Sequence, residues 1–466
     1  MTVKPRKTLV LIALALASAS PKAKAAAPDG PSLALRDVAS PASDNSAFPQ
    51  LAADDKGNVF MTWIETLKDG AGHRLRVSRR APLGAWSDAV TIHEGKDFWR
   101  NWADFPGLGV FPDGSLMVHW LARSGEATYD YNIKARISRD AGRTWGDPFL
   151  VNTDGRKAEH GFVSFAPTEK GIGVVWLDGR DTLGMSHEGE HAPSGAGAMT
   201  LRFAEFASDG TRLRESLLDS KVCDCCQTAM VNTSKGLLAA YRDRSDAEFR
   251  DISLVRPLAE RVEPREFSRD GWKIQACPVN GPALASRGEA VSAVWFTMGG
   301  GKARVRAAVS RDGGDTFTAP LDIDAVFPLG RVDVAILPTG ETLLSWLGRG
   351  EGGAAEIKAA FLARDGSLKP PFKVVTTSMA RASGFPRLEL SGDEVVFAWT
   401  EVMPAPEGAT TSPPSRVRTG VLSDDHTLVV GNDNEFAFNG CDSAENVVPV
   451  DRPSQLLFVR FANRLR

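Results

Sequence analysis

Tyrosine is scarce in this chain of 466 residues, with three against 11 tryptophans and 23 phenylalanines. Chemistry that needs a tyrosine therefore has few candidates, and none follows Tyr241. Cysteine (5) and histidine (7) are also few, so any cluster of them stands out. No strongly basic run appears, which argues against a nucleic-acid partner. Only one long apolar run exists, at the N-terminus, and no other segment has the look of a membrane span. Otherwise the composition is that of an ordinary globular protein.

That N-terminal run reads as a secretory leader. Lys4, Arg6 and Lys7 precede the apolar "TLVLIALALASAS", and Ala23 to Ala25 form a small-x-small cleavage site. No cysteine sits near the cleavage point, which argues against a lipid anchor. The expected segments are a leader over 1–25, a folded domain over 26–423 and a C-terminal segment over 424–466. Removing the leader takes five positive charges and no acid, leaving 50 basic against 58 acidic residues, or −8. The expected compartment is oxidising, periplasmic or extracellular.

The organising signal is an internal repeat. "FPQLAADDKGNVFMTWIE" and "DFPGLGVFPDGSLMVHWLAR" are two of seven units that read as β-hairpins, each a short apolar run, a turn and a β-rich run ending in an aromatic. The closing aromatics are Trp63, Trp120, Trp176, Tyr241, Trp295, Trp346 and Trp399, at spacings of 57, 56, 65, 54, 51 and 53. A third alternating run follows most units. Three to four strands per unit of this length predict an all-β propeller. Seven units predict seven blades, with six blades plus a divergent unit as the alternative. "SLALRDVAS" near the N-terminus is a candidate for the strand that closes the ring.

The third strand often runs into a special turn. "SRDAGRTW" (Ser138 to Trp145) matches Ser-x-Asp-x-Gly-x-Thr-Trp throughout, and "SRDGGDTF" (Ser310 to Phe317) differs only in its last residue. "SRDGW" (Ser268 to Trp272) reads as a shortened form and "SRRAPLGAW" as a degenerate one. In such a turn Asp accepts backbone N–H bonds, Gly takes positive φ and Trp packs beneath the next strand. These motifs resemble the Asp boxes of the sialidase-like (BNR-repeat) propellers. The resemblance implies the propeller fold, with the boxes as structural turns between strands three and four. It implies exo-sialidase activity only where the family's three arginines, Tyr–Glu pair and catalytic Asp are present. No Arg-Ile-Pro motif occurs here, and Tyr241 occupies an aromatic core slot, so ordinary sialidase chemistry is not expected.

Propeller topology brings the starts of the first strands and the ends of the second strands to one mouth. The second-strand ends supply Glu65, Arg123, Asp178, Arg180, Tyr241, Arg242, Asp243, Arg244, Arg349 and Glu401. These read either as a solvated rim of ion pairs or as a pocket in which arginines hold a carboxylate or sulfate. Asp178 and Asp243, with Tyr241, are the candidate catalytic groups for glycoside hydrolysis. Trp99 and Trp102, in "FWRNWADFP", fill no repeat slot. They are candidate sugar platforms or aromatics packed between blades.

Three of the five cysteines crowd into "KVCDCCQTAM". Cys223, Cys225 and Cys226 open blade four, and Cys277 opens blade five beside it. His160 opens blade three, and Met185, His187 and His191 lie in the long loop after its second strand. Three readings compete: a disulfide staple through Cys277, including a vicinal Cys225–Cys226 variant; a copper or zinc site; and a redox-active dithiol. The functional expectation is an exported propeller whose mouth binds an anionic or carbohydrate ligand. The alternatives are a glycoside hydrolase with a rearranged catalytic set and a periplasmic metal-binding or redox protein.

Overall fold

The computed structural model describes residues 33–182, 197–403 and 414–424. The leader, Met185, His187, His191 and the tail with Cys441 lie outside the described residues. Among these there is no α-helix, and no helix is long and apolar enough to cross a membrane.

The first strand, β1 (Leu33–Val38), is followed by blade one, β2 to β5 (Ser46–Ala53, Val59–Thr66, His73–Arg80, Val90–Gly95). Blade two is β6 to β9 (Leu108–Val110, Leu116–Arg123, Tyr131–Ser138, Phe149–Leu150), and blade three is β10 to β13 (His160–Pro167, Ile172–Asp178, Thr200–Phe206, Arg212–Asp219). Blade four is β14 to β17 (Ala229–Thr233, Gly236–Arg242, Ile252–Val255, Arg265–Glu266). Blade five is β18 to β21 (Ala283–Arg287, Ala290–Thr297, Arg304–Ser310, Leu321–Asp324). Blade six is β22 to β25 (Pro328–Ile336, Thr342–Arg349, Ala355–Leu362, Phe372–Thr377). Blade seven is β26 to β28 (Arg387–Ser391, Glu394–Val402, Ser415–Asp424), completed by β1.

Each of the seven sheets is four-stranded with antiparallel neighbours, so the fold is a seven-bladed β-propeller and the six-bladed alternative falls. The ring closes through β1, which pairs with β28 from Leu33 opposite Asp424 to Val38 opposite Thr419. "SLALRDVAS" therefore plays the closing role. Arg418 Nη2 donates to Asp37 across this seam at 2.7 Å, and Thr419 Oγ1 donates to the Val38 carbonyl at 2.9 Å. A blade exposes apolar side chains on both faces, and only packing against two neighbours removes both from water.

The closing aromatics of the second strands are all buried. Five of them satisfy their polar atom with a carboxylate: Trp63 on Glu65, Trp176 on Asp178, Tyr241 on Asp219, Trp295 on Asp270 and Trp346 on Asp324. In three blades the residue opposite the tryptophan on strand three is an arginine that ion-pairs with the same carboxylate. Arg76 serves Glu65 at 3.6 Å, Arg202 serves Asp178 at 4.0 Å and Arg306 serves Asp270 at 2.5 Å. A buried indole N–H without an acceptor is costly, and the carboxylate left by that bond needs its own countercharge.

The Ser138 and Ser310 turns lie between strands three and four of their blades. Asp140 accepts from the Thr144 backbone N–H at 2.8 Å and from its hydroxyl at 2.7 Å, and Gly142 N–H donates to Ser138 Oγ with Gly142 at φ 87°. Asp312 repeats the pattern with Thr316, Gly314 and Ser310. The shortened "SRDGW" behaves differently: it follows the fourth strand of blade four. There Asp251, not Asp270, accepts the Gly271 and Trp272 N–H groups, because Asp270 is taken by Trp295 and Arg306.

Blades one and seven are also joined by Arg80 and Glu394, 1% and 3% exposed, at 2.6 Å. Removing one member strands the other charge in the interior. Glu394→Ala is expected to cost about 3–5 kcal/mol, read as a lowered denaturation midpoint. An unchanged midpoint would show that the pair does not hold the seam.

Candidate functional site

The first strands start at the mouth, and three of them are irregular there. Pairing slips between Ala47 and Gln50, between Gly161 and Ser164, and between Gly330 and Asp333. Each bulge holds a non-glycine residue in the left-handed region: Phe48 at φ 63°, Phe162 at 56° and Arg331 at 55°. Each freed N–H is captured by a side chain of the neighbouring blade or its lead-in. Phe48 donates to Thr400 Oγ1 at 3.1 Å, Phe162 to Asp104 Oδ1 at 2.8 Å and Arg331 to Asn280 Oδ1 at 2.8 Å. Bulges re-aim side chains, and here the cost of an unusual backbone is offset by an inter-blade bond.

The result is an aromatic floor with cations on it. Phe48, Trp102, Phe105 and Phe385 come from the starts of blades one, two and seven, and Trp102 stacks on Phe385 at 6.1 Å. Arg331 lies over Trp102 at 4.9 Å and donates from Nη1 to Ser383 Oγ and the Gly384 carbonyl. Arg381 lies 6.0 Å from the same ring, and Arg100 lies 4.7 Å over Phe48. Among the described residues, none of these three guanidinium groups has a carboxylate within ion-pair distance. Arg331 is only 9% exposed, and burial lowers its pKa to about 10. Below the floor, a cavity of about 180 Å³ follows the inner strands, lined among others by Gln50, Asp104, Ser164, Thr228, Asp333 and Arg387.

Beside the cavity is a buried acid pair. Tyr131 Oη lies 2.7 Å from Glu159 Oε1 and 3.3 Å from Asp104 Oδ2. A phenol has one proton, so it donates to one carboxylate at a time, and a proton on one of the two acids would complete the network. Burial accordingly raises Asp104 to about 7 and Glu159 to about 8, against the opposing Tyr131 bond. Gly161 makes room: a Cβ there would stand 1.8 Å from Asp104 Oδ2. These are the residue types of a Tyr–carboxylate nucleophile, but Tyr131 is wholly buried and stacked on Trp99 at 4.0 Å.

The cysteines form two disulfides, Cys223–Cys226 and Cys225–Cys277, with Cα separations of 6.0 and 5.9 Å. The second ties the lead-ins of blades four and five; the vicinal Cys225–Cys226 pairing is not formed. With both bonds closed, none of these four cysteines offers a thiolate to copper or zinc. The next residue, Gln227, donates from Nε2 to the Ala103 carbonyl at 2.6 Å and accepts the Gly281 N–H at 3.1 Å. It thus joins blade four to the lead-ins of blades two and five. Asp224 is held by Arg244 and Arg250 at 3.2 and 3.4 Å, and Glu248 completes that cluster.

The second-strand candidates have other occupations. Glu65 and Asp178 serve the buried tryptophans, and Arg180 is paired with Asp178 at 2.7 Å. Tyr241 donates to Asp219. Asp243 accepts the Arg244 N–H and the Ser253 hydroxyl, and burial raises its pKa. Arg242 is 1% exposed, stacked on Trp272 and bonded to the Asn280, Arg250 and Phe296 carbonyls. Glu401 pairs with Arg416 at 2.6 Å, Arg349 lies over Phe327, and the exposed Arg123 side chain has no ion pair among the described residues. Trp99 donates to the Thr128 carbonyl and packs against Tyr131, away from solvent. His160 is drawn to acids rather than thiols: it sits opposite Asp178 in the β10–β11 ladder, 3.2 Å from Asp154 and 3.8 Å from Asp178. Those carboxylates raise its pKa against desolvation.

Arg100, Arg331, Arg381, Asp104, Tyr131 and Glu159 escaped the sequence reading, which looked to the second-strand ends. Aligning the repeats on their first-strand starts would have exposed Arg331 in "LGRVD" and Arg381 in "ARASGFP".

The architecture defines a seven-bladed β-propeller. No family model matches the chain, and no curated protein does. Among solved structures, an α-L-arabinanase from Penicillium chrysogenum is similar at 13% identity and TM-score 0.46, covering 85% of this chain and 100% of that one. The α-L-arabinofuranosidase Arb93A from Fusarium graminearum is similar at 13% and 0.46, covering 83% and 97%. A Hadza microbial sialidase is similar at 15% and 0.42, covering 74% and 73%. No residue role is taken from these distant likenesses.

The acid pair gives a pH signature. Both groups are raised from ordinary values near 4, so the folded state binds protons that the unfolded chain has released. Their contribution to stability is complete below pH ~4 and is lost as pH rises towards about 8. Glu159→Gln keeps a neutral partner for Tyr131 and is expected to flatten the decline of the unfolding midpoint from pH 4 to 8 relative to the parent. Parallel pH profiles would contradict a proton held in this pair.

Proposed function

We propose that the mouth of this propeller binds a carbohydrate bearing a carboxylate or sulfate. Arg100, Arg331 and Arg381 take the anionic group and Trp102 supplies the apolar wall for the sugar ring. The observation that carries this reading is Arg331, a nearly buried guanidinium without a carboxylate, held over Trp102 by a left-handed backbone bulge. A buried cation without a countercharge is costly unless another gain offsets it. Guanidinium groups bind carboxylate and sulfate by paired N–H bonds, and two further arginines stand beside this one. Ordinary sialidase hydrolysis is not part of the reading, because the Tyr131 hydroxyl is sealed beneath Trp99. The leader-like N-terminus and the two disulfides support an exported protein working in an oxidising compartment.

The test is calorimetric titration with acidic and matched neutral oligosaccharides at two salt concentrations. Acidic sugars are expected to bind, more weakly at the higher salt. Arg381→Ala and Arg331→Ala are each expected to lower affinity by about tenfold or more, whereas Arg123→Ala leaves it unchanged. Arg381 is exposed, so its variant tests the site without disturbing the core. Equal affinity for neutral and acidic sugars, or indifference to both substitutions, would overturn the reading.

A further inference from the structure

The two disulfides are neighbours with opposite access. The sulfurs of Cys223, Cys225 and Cys226 all lie within 4.8 Å of one another. Cys223 and Cys226 are 0% and 1% exposed, Cys225 is half-buried and Cys277 is exposed. An accessible disulfide therefore ends on a sulfur, Cys225, that lies within 4.8 Å of both sulfurs of a second, buried disulfide.

A purely structural role explains only one of the two bonds. Cys225–Cys277 closes a loop across 52 residues and ties two blades. Cys223–Cys226 spans three residues and removes little freedom from the unfolded chain, since that gain grows with loop length. Its Cys-x-x-Cys spacing is the one that dithiol exchange centres use.

The geometry points to a thiol–disulfide exchange site in which Cys277 is the entry sulfur, Cys225 the relay and Cys223–Cys226 the internal acceptor, with a partner dithiol as the substrate. The steps balance. A thiolate of the partner attacks Cys277 Sγ, the Cys277–Cys225 bond breaks, and its electron pair leaves on Cys225 as a thiolate. The partner's second thiolate resolves the mixed disulfide, freeing Cys277 and leaving the partner as its own disulfide, for a net transfer of two electrons and two protons. The Cys225 thiolate then attacks Cys223 or Cys226, forming a new bond to one and releasing the other as a thiol. Attack falls on Cys277 because exchange needs access and a leaving sulfur, and Cys277 is the most exposed of the four. Once Cys225 is freed, the inner bond needs no outside reagent to reach it.

The test uses the full-length protein with Cys441→Ser, so that the cluster holds every remaining cysteine. The protein is titrated anaerobically with dithiothreitol under native conditions, trapped with iodoacetamide and mapped by mass spectrometry. At two electrons per chain, Cys277 is expected to carry label in nearly every molecule, with the second label spread over Cys223, Cys225 and Cys226. In Cys225→Ser the inner disulfide is expected to open about tenfold more slowly or worse, since the sulfur within 4.8 Å of both its members is gone and the remaining Cys277 thiol lies outside that group. Should that variant fail to fold, Cys277→Ser leaves one thiol beside the inner bond, and its label is expected to scatter over the same three cysteines without reductant. Label confined to Cys225 and Cys277 in the parent, or resistance of both disulfides until denaturant is added, would overturn the relay.

Discussion

Everything in this molecule depends on closing the ring. A blade has two apolar faces and satisfies neither alone, so the seven sheets are stable only as a circle. The circle is sealed by one antiparallel pairing between the first and last described strands, from Leu33 opposite Asp424 to Val38 opposite Thr419. Arg80 and Glu394 reinforce the next seam inward, buried together between blades seven and one. The seam converts two aggregation-prone sheet edges into an interior ladder.

Within the closed ring, the mouth is built by a second device, the bulge on the first strand. Three blades sacrifice ladder pairing near their first-strand starts, and each freed N–H is taken up by a side chain from an adjacent blade or its lead-in. Asp104 shows how the device yields more than structure. One oxygen holds the Phe162 bulge, while the other joins Tyr131 and Glu159 in a buried network. Arg331 shows the converse, a cation placed by its bulge among dipoles and aromatic faces with no carboxylate at ion-pair distance among the described residues.

The cysteine stretch stands where these devices meet. Cys225 fixes the lead-ins of blades four and five, and Gln227, two residues on, links them to the residue after Trp102. Through Gln227 the disulfide stretch is therefore bonded to the lead-in that carries Trp102. The repeat placed "KVCDCCQTAM" at the head of an innermost strand, and the fold confirms that position and its reach to Cys277.

The repeat, the blade count and the closing strand were legible because each rests on local periodicity: alternation within strands, a turn between them, an aromatic every fifty to sixty-five residues. The Ser138 and Ser310 turns were legible for the same reason, since the Ser, Asp and Thr bonds that shape them are made within eight residues. The functional site was not. Glu65, Asp178 and Tyr241 were marked by their polar character, yet packing commits Glu65 and Asp178 to the indole N–H and arginine of their own blades and Tyr241 to Asp219 of blade three. Trp99 and Trp102 looked alike in sequence, and only packing sent one against Tyr131's ring and the other against Phe385 and Arg331. The sequence by itself determined a ring of seven hairpin-based units and the place of its cysteines. The tertiary structure alone decided which arginines face aromatic rings, which acids meet at Tyr131 and that Cys225 pairs with Cys277, because each depends on side chains from different blades brought together by the fold.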